Sequence, residues 1–278
     1  MASKNAIKSG ERIEGGETAV AVASPETAIA RPEAGTEASR FVALRPGSDI
    51  AEAIRWNSLG GLTVDDLTRV PIPAGGATTW AFPDAMGNEV TTKEVTGAFC
   101  LFAQQGTLWG SDQPTTGRQP VLVTRDMRTA IRVSNDIGDL DEAVLEAARI
   151  GDRTYDWTRL EYAQFGSGRD GRGKRAKEAR LIGILREEDG LPLLVAAGPG
   201  SIKGVDLFVK RISSLGKPYF HTVVSATVTP DVNPAGQKYG RVSLTLPAIL
   251  SPAEANAVRD QYTVPLLQSL ERSVIVAD

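Results

Sequence analysis

One cysteine and one histidine are all that this 278-residue chain holds of the side chains that most often ligate metals or move protons near neutral pH. The lone Cys100 excludes an intrachain disulfide and any zinc site built on several thiolates. Its setting, Gly97-Ala-Phe-Cys-Leu-Phe-Ala103, marks it as a small core residue. His221 would have to serve as every imidazole acid, base or ligand in the molecule, and nothing around it in sequence marks a nucleophile–base pair. It reads as an ordinary strand residue. A metal held by carboxylates alone would need Asp136, Asp139, Asp141 and Glu142, yet these open a helical pattern in which first-turn acids follow from the helix dipole. No metal, no cofactor and no enzymatic activity is expected. Long apolar runs are missing too: none nears the ~18 residues of a membrane span, and the first residues lack the apolar core of a signal peptide. The expectation is a cytoplasmic protein with no membrane partner.

What is present is an ordinary globular composition, 41 % hydrophobic and 23 % charged, in a chain long enough to bury a full core. Residues 1–40 have almost no aromatic or large aliphatic side chains. Burial there cannot offset ordering entropy, so a disordered tail is expected. Residues 41–278 read as one domain. Ile50, Ala53 and Ile54 after Ser48 and Asp49 predict a short helix, and Thr63-Val-Asp-Asp66 a helical turn. Residues 93–104 form the first strand, with Val95, Phe99 and Leu101 on one apolar face and Ala98, Cys100 and Phe102 on the other. Another strand over 120–124 precedes a helix over 140–150. Two hairpins follow, 181–197 and 219–246, separated by a helix that Ser201 caps and Gly216 ends. Ser251-Pro-Ala-Glu254 is a capping box opening a terminal helix, with Val258, Tyr262, Leu266 and Leu270 at four-residue spacing and Pro265 as a kink.

Positive charge is unevenly placed. Residues 164–180 hold six cations, Arg169, Arg172, Lys174, Arg175, Lys177 and Arg180, against Asp170 and Glu178, a net +4 in a chain whose net charge is −3. The remainder carries −7. A glycine-rich basic segment in an otherwise acidic protein has the chemistry of a phosphate track; a solvated, mobile loop is the plain alternative. Gly168 to Lys174 spells G-x-x-x-x-G-K, but Arg175 stands where a hydroxyl would meet Mg²⁺, and the G-x-G-x-x-G from Gly166 to Gly171 follows no buried strand. Aromatic residues make up only 6 % of the chain, yet Tyr155, Trp157, Tyr162 and Phe165 crowd just ahead of the cations. Rings beside arginines stack unpaired bases while the cations hold phosphates. Core packing is the competing role, on equal terms for Trp157 and Phe165. In the last hairpin, strand alternation puts Tyr219, His221, Tyr239 and Arg241 on one solvent-facing surface, either a second stacking face or the polar outside of an ordinary sheet.

Strand, inserted region, hairpin, helix, hairpin, terminal helix is the order of an oligonucleotide-binding (OB) barrel. The expected fold is α+β and β-rich: an OB-fold-like five-stranded barrel with a long inserted loop and helix region over 105–180 and a C-terminal helix. The run Gln164-Phe-Gly-Ser-Gly168 followed by Gly173-Lys174-x-x-Lys177-Glu178-x-Arg180 resembles a family of phage and mobile-element single-stranded DNA-binding proteins, over roughly residues 62–270. The resemblance implies roles for Gly166, Gly168, Lys174, Lys177 and Arg180. It also exposes a departure: where that family has cysteines that suggest a metal site, this chain has Trp157, Leu160 and Ala176, an apolar plug in the metal's place. The leading expectation is a non-catalytic binder of single-stranded DNA, or of RNA, in phage or mobile-element replication or recombination. Its further partners would be proteins of those processes and other copies of itself. The interface would use Trp157, Tyr162, Phe165, Tyr219 and Tyr239 for stacking and Arg169, Arg172, Lys174, Arg175, Lys177, Arg180 and Arg241 for phosphates. The alternatives are a structural or scaffold protein of a phage-type assembly, which a pI of about 5.5 fits equally well, and a metal-dependent nuclease or NTPase, for which no carboxylate cluster stands out.

Overall fold

The structure, a computed structural model, describes residues 39–45, 47–58, 61–84, 86–111, 119–233 and 236–273. The tail expected over 1–40 lies outside them except for Ser39, which donates to Glu254 at 2.7 Å, and Arg40, which meets Glu187 at 3.3 Å. Helix α1 (Ile50–Asn57) and a 3₁₀ turn (Val64–Asp66) lead to β1 (Thr68–Val70). Strands β2 (Trp80–Pro83) and β3 (Glu89–Thr92) pair with each other as a separate hairpin. The remaining order is β4 (Glu94–Leu108), β5 (Leu122–Thr124), β6 (Thr129–Arg132), α2 (Glu142–Ala147), β7 (Thr154–Asp156), β8 (Lys177–Leu185), β9 (Leu193–Ala197), α3 (Pro199–Ser214), β10 (Thr222–Val232), β11 (Lys238–Ile249), α4 (Pro252–Val258) and α5 (Val264–Ser273).

Nine strands form one sheet that forks at β4. One edge of β4 carries β8 along residues 98–107, and the other carries β10 at 94–98 and β5 at 106–108. The fold is α+β and β-rich, a large sheet with a C-terminal helix. A ring of β4, β8, β9, β11 and β10 would close through a pair between β9 and β11. Among the described residues β1 instead runs parallel along the second edge of β9, Thr68 opposite Leu193, and β11 pairs with β10 alone.

Strand β4 is apolar on both sides because it feeds two cores, but its alternation breaks in the middle. The β8 ladder passes from Phe99 opposite Ile184 to Leu101 opposite Gly183, leaving Cys100 as an extra residue. One extra residue shifts a period-2 pattern to the other face. Leu101 therefore joins Ala98 and Cys100 against the C-terminal helices, while Phe102 joins Val95 and Phe99 against α3, reversing the expected faces of both. The Cys100 carbonyl, bulged out of the ladder, accepts a buried bond from the Thr263 hydroxyl at 2.7 Å. Thr263 belongs to a π-turn, Arg259–Thr263, that joins α4 to α5. Two causes meet in that turn. Pro265 has no N–H to give the Gln261 carbonyl, as a continuous α-helix would require. Residues four apart also drift by about 40° per step around a 3.6-residue turn. The wider turn takes up that drift, and Val258, Tyr262, Leu266 and Leu270 are all buried.

The inserted region is more than a loop. Strands β5 to β7 extend the sheet, and Leu122, Leu145, Tyr155, Trp157, Leu160 and Ala176 enclose a third apolar core. Gly106 lets Trp157 lie directly on β4, since a Cβ there would fall 2.6 Å from both the indole ring and the Thr124 methyl group.

Candidate nucleic-acid interface

The segment that enters β8 is folded on itself. Gly166 and Gly173 take φ values of +98° and +65°, which side chains disfavour, and the Gly166 N–H donates to the Gly173 carbonyl at 2.7 Å to close the neck of the loop. The Ser167 hydroxyl donates to the Tyr162 carbonyl at 2.9 Å and accepts from the Arg175 N–H at 3.1 Å. The segment then runs into a strand, so the helix N-terminus on which phosphate-binding glycine motifs depend does not follow it.

This folding sorts the cations into two groups. Arg180, its side chain 10 % exposed, holds Asp206 of α3 through two bonds of 2.7 and 2.9 Å. Arg175 meets Asp139 at 2.5 Å, and Lys174 meets Glu178 at 2.5 Å. A guanidinium or ammonium already committed to a carboxylate has little left for a phosphate. Arg169 and Arg172, by contrast, are exposed and have no charged partner among the described residues, and the exposed Lys177 donates only to the Lys174 carbonyl at 3.3 Å. Phe165 stands on the same loop, 83 % exposed.

The rings divide in the same way. Trp157 is buried in the third core together with Leu160 and Ala176. The half-buried Tyr162 accepts the Asp141 N–H at 2.7 Å and so fastens the loop to α2. The last hairpin does not present the expected outer face. Tyr219 and His221 lie in a 3₁₀ turn ahead of β10, and the Tyr219 ring packs within 6.1 Å of Phe99, Phe102 and Phe220, its pKa pushed up to about 12 by burial. Strand β10 lies between β4 and β11 and feeds a core on each side, with Val223 facing the terminal helices and Val224 and Ala226 facing α3. Alternation cannot distinguish a polar outer face from a second buried one when small residues line both. Tyr239 donates its hydroxyl to Asp231 at 3.0 Å, and Arg241 meets the same carboxylate at 3.1 Å. The Val232 N–H, with Tyr239 second, holds Asp231 below the usual carboxylate range, so it stays charged.

Below the loop lies a feature with no local sequence signal, an open cleft of about 370 Å³. Its walls are Gln104 of β4, Glu178 and Arg180 of β8, Thr158 and Gln164, with Met127 and Trp157 supplying apolar surface. Met127 has φ +59°, the one positive value at a non-glycine position among the described residues. It sits in the β5–β6 turn, where its N–H donates to the Thr124 hydroxyl at 3.1 Å and Asp126 accepts from Arg128 and Thr129 at 2.8 and 2.7 Å. Thr124-Arg-Asp126 hints at such a turn; nothing in it points to a cleft.

The acidic group beside the loop is engaged elsewhere. Asp141 caps α2 by accepting the Ala143 N–H at 2.8 Å, Glu142 meets Arg132 at 2.8 Å, and Asp139 holds Arg175. Among the described residues no three such side chains group as metal ligands, and no helix is long and apolar enough to cross a membrane. The molecule is thus a mixed α+β protein with a forked sheet and a folded basic loop beside a polar cleft. No protein-family model, curated protein or solved structure matches the chain.

Proposed function

We propose that this protein binds single-stranded nucleic acid without catalysis and that its contact is the loop over residues 164–177. One observation carries the reading: an exposed phenyl ring, Phe165, shares a hydrogen-bonded loop with Arg169, Arg172 and Lys177, three cations that no described carboxylate neutralises. A ring of this kind stacks any unpaired base, and cations on the same rim neutralise the flanking phosphates. Local charge meets the phosphate, so a net-acidic chain is no obstacle. An OB-type origin for β4, β8, β9, β10 and β11 belongs to the same proposal. It is supported by the β4–β8, β8–β9, β4–β10 and β10–β11 pairings, and by a loop between the first and second of these strands, where such folds bind oligonucleotides. So does the setting that the motif resemblance implies, replication or recombination of a phage or mobile element, from which the buried Trp157, Leu160 and Ala176 in place of that family's cysteines are a departure.

The test is a fluorescence-anisotropy titration of labelled oligothymidine and of a duplex of equal length at low salt. Saturable binding of the single strand, weaker binding of the duplex and a clear loss with Phe165→Ala are expected. A single strand left unbound at low salt would overturn the proposal.

A further inference from the structure

We infer that the cleft beneath the loop receives one nucleobase of the bound strand, an inference that rests on the proposed function. Its volume, about 370 Å³, lies near the lower end of ligand clefts, ~300–1,000 Å³, which suits one flat ring better than a longer piece of strand. The charges around it select the same class of ligand. Lys174 is balanced by Glu178 and Arg180 by Asp206, so the cleft offers no net attraction to a phosphate. What it does offer is hydrogen-bonding capacity. Gln104 is exposed and its amide bonds to no described residue, while Gln164, whose amide nitrogen donates to the Thr158 carbonyl at 2.8 Å, keeps its own oxygen free to accept. A neutral, planar ligand with donors and acceptors at its edge matches this lining.

Met127 adds an independent reason. A side chain held in the left-handed region costs about 1–2 kcal/mol, which glycine at this turn position would avoid, and residues retained in such conformations cluster where ligands are gripped. The polarisable thioether at the cleft wall makes favourable contact with an aromatic ring. Because Phe165 directly follows the cleft residue Gln164, one base stacked on Phe165 and its neighbour in the cleft fit consecutive positions of a strand whose phosphates meet Arg169 and Arg172.

The experiment compares oligothymidine with a sugar-phosphate polymer of equal length that lacks bases, using the wild-type protein and the variants Met127→Ala and Gln104→Ala. Each variant is expected to lose roughly fivefold in affinity for oligothymidine with no change for the abasic polymer. Loss of affinity for both polymers alike, or for neither, overturns the cleft inference while the proposed function stands. A wild-type protein that binds neither polymer overturns both. Should Met127→Ala not fold, Gln104→Ala, a change at an exposed position of β4, decides alone.

Discussion

Replacing Arg169, Arg172 and Lys177 together with alanine should remove nearly all the salt dependence of single-strand binding and leave the fold intact. Each phosphate neutralised on a single strand contributes about −0.7 to the slope of log affinity against log salt. Three cations with no described carboxylate partner therefore give a wild-type slope of about −2, whereas all six cations of the segment would give about −4. Between about 50 and 200 mM salt, these slopes mean affinity losses of roughly 20-fold and roughly 300-fold. The two are easily told apart by anisotropy titrations at several salt concentrations. The triple variant should show a slope near zero. Arg175→Ala and Arg180→Ala should keep the wild-type slope and instead lower the thermal midpoint, because Asp139 and the partly buried Asp206 lose their partners. A wild-type slope near −4, or a triple variant that keeps its slope, would show that the ion pairs open on binding and would refute the sorting of the cations.

Two further outcomes follow from packing and protonation. Gly106→Ala places a methyl group 2.6 Å from the Trp157 ring and the Thr124 methyl, and it should destabilise the protein by about 1–3 kcal/mol in urea unfolding; an unchanged midpoint would show that the indole can move aside. Burial works to raise the pKa of Glu254, but the bonds it accepts from Ser39 and Ser251 outweigh burial and leave it below its ordinary 4.5. As pH falls the unfolded chain therefore takes up this proton first, and the stabilisation, complete above the unfolded pKa, is lost as pH passes down through the folded value. Glu254→Gln should accordingly be less stable at neutral pH and show a shallower acid limb in urea midpoints, and acid limbs of equal steepness would contradict this account.

Features set by a few neighbouring residues were legible in the sequence. The capping box at Ser251 and Glu254, the hairpins around residues 187–190 and 230–236, helix α3 and the two-faced apolar character of β4 all rest on short-range spacing, and all are present, although α3 begins at Pro199 and the Ser201 hydroxyl, instead of capping it, accepts the Val242 N–H at 2.9 Å. The clustering of charge over 164–180 is equally a property of the chain alone. Which of those cations keep their charge free is another matter. Arg175 finds Asp139 across 36 positions and Arg180 finds Asp206 across 26, so only the packing of the inserted region and α3 could decide that these two are neutralised while Arg169, Arg172 and Lys177 meet no described carboxylate. The bulge at Cys100, the burial of Tyr219 and the cleft beside Met127 have the same origin. Each depends on which strands and helices come to lie side by side, and spacing along the chain carries no record of that choice because burial and charge pairing are fixed by neighbours distant in sequence.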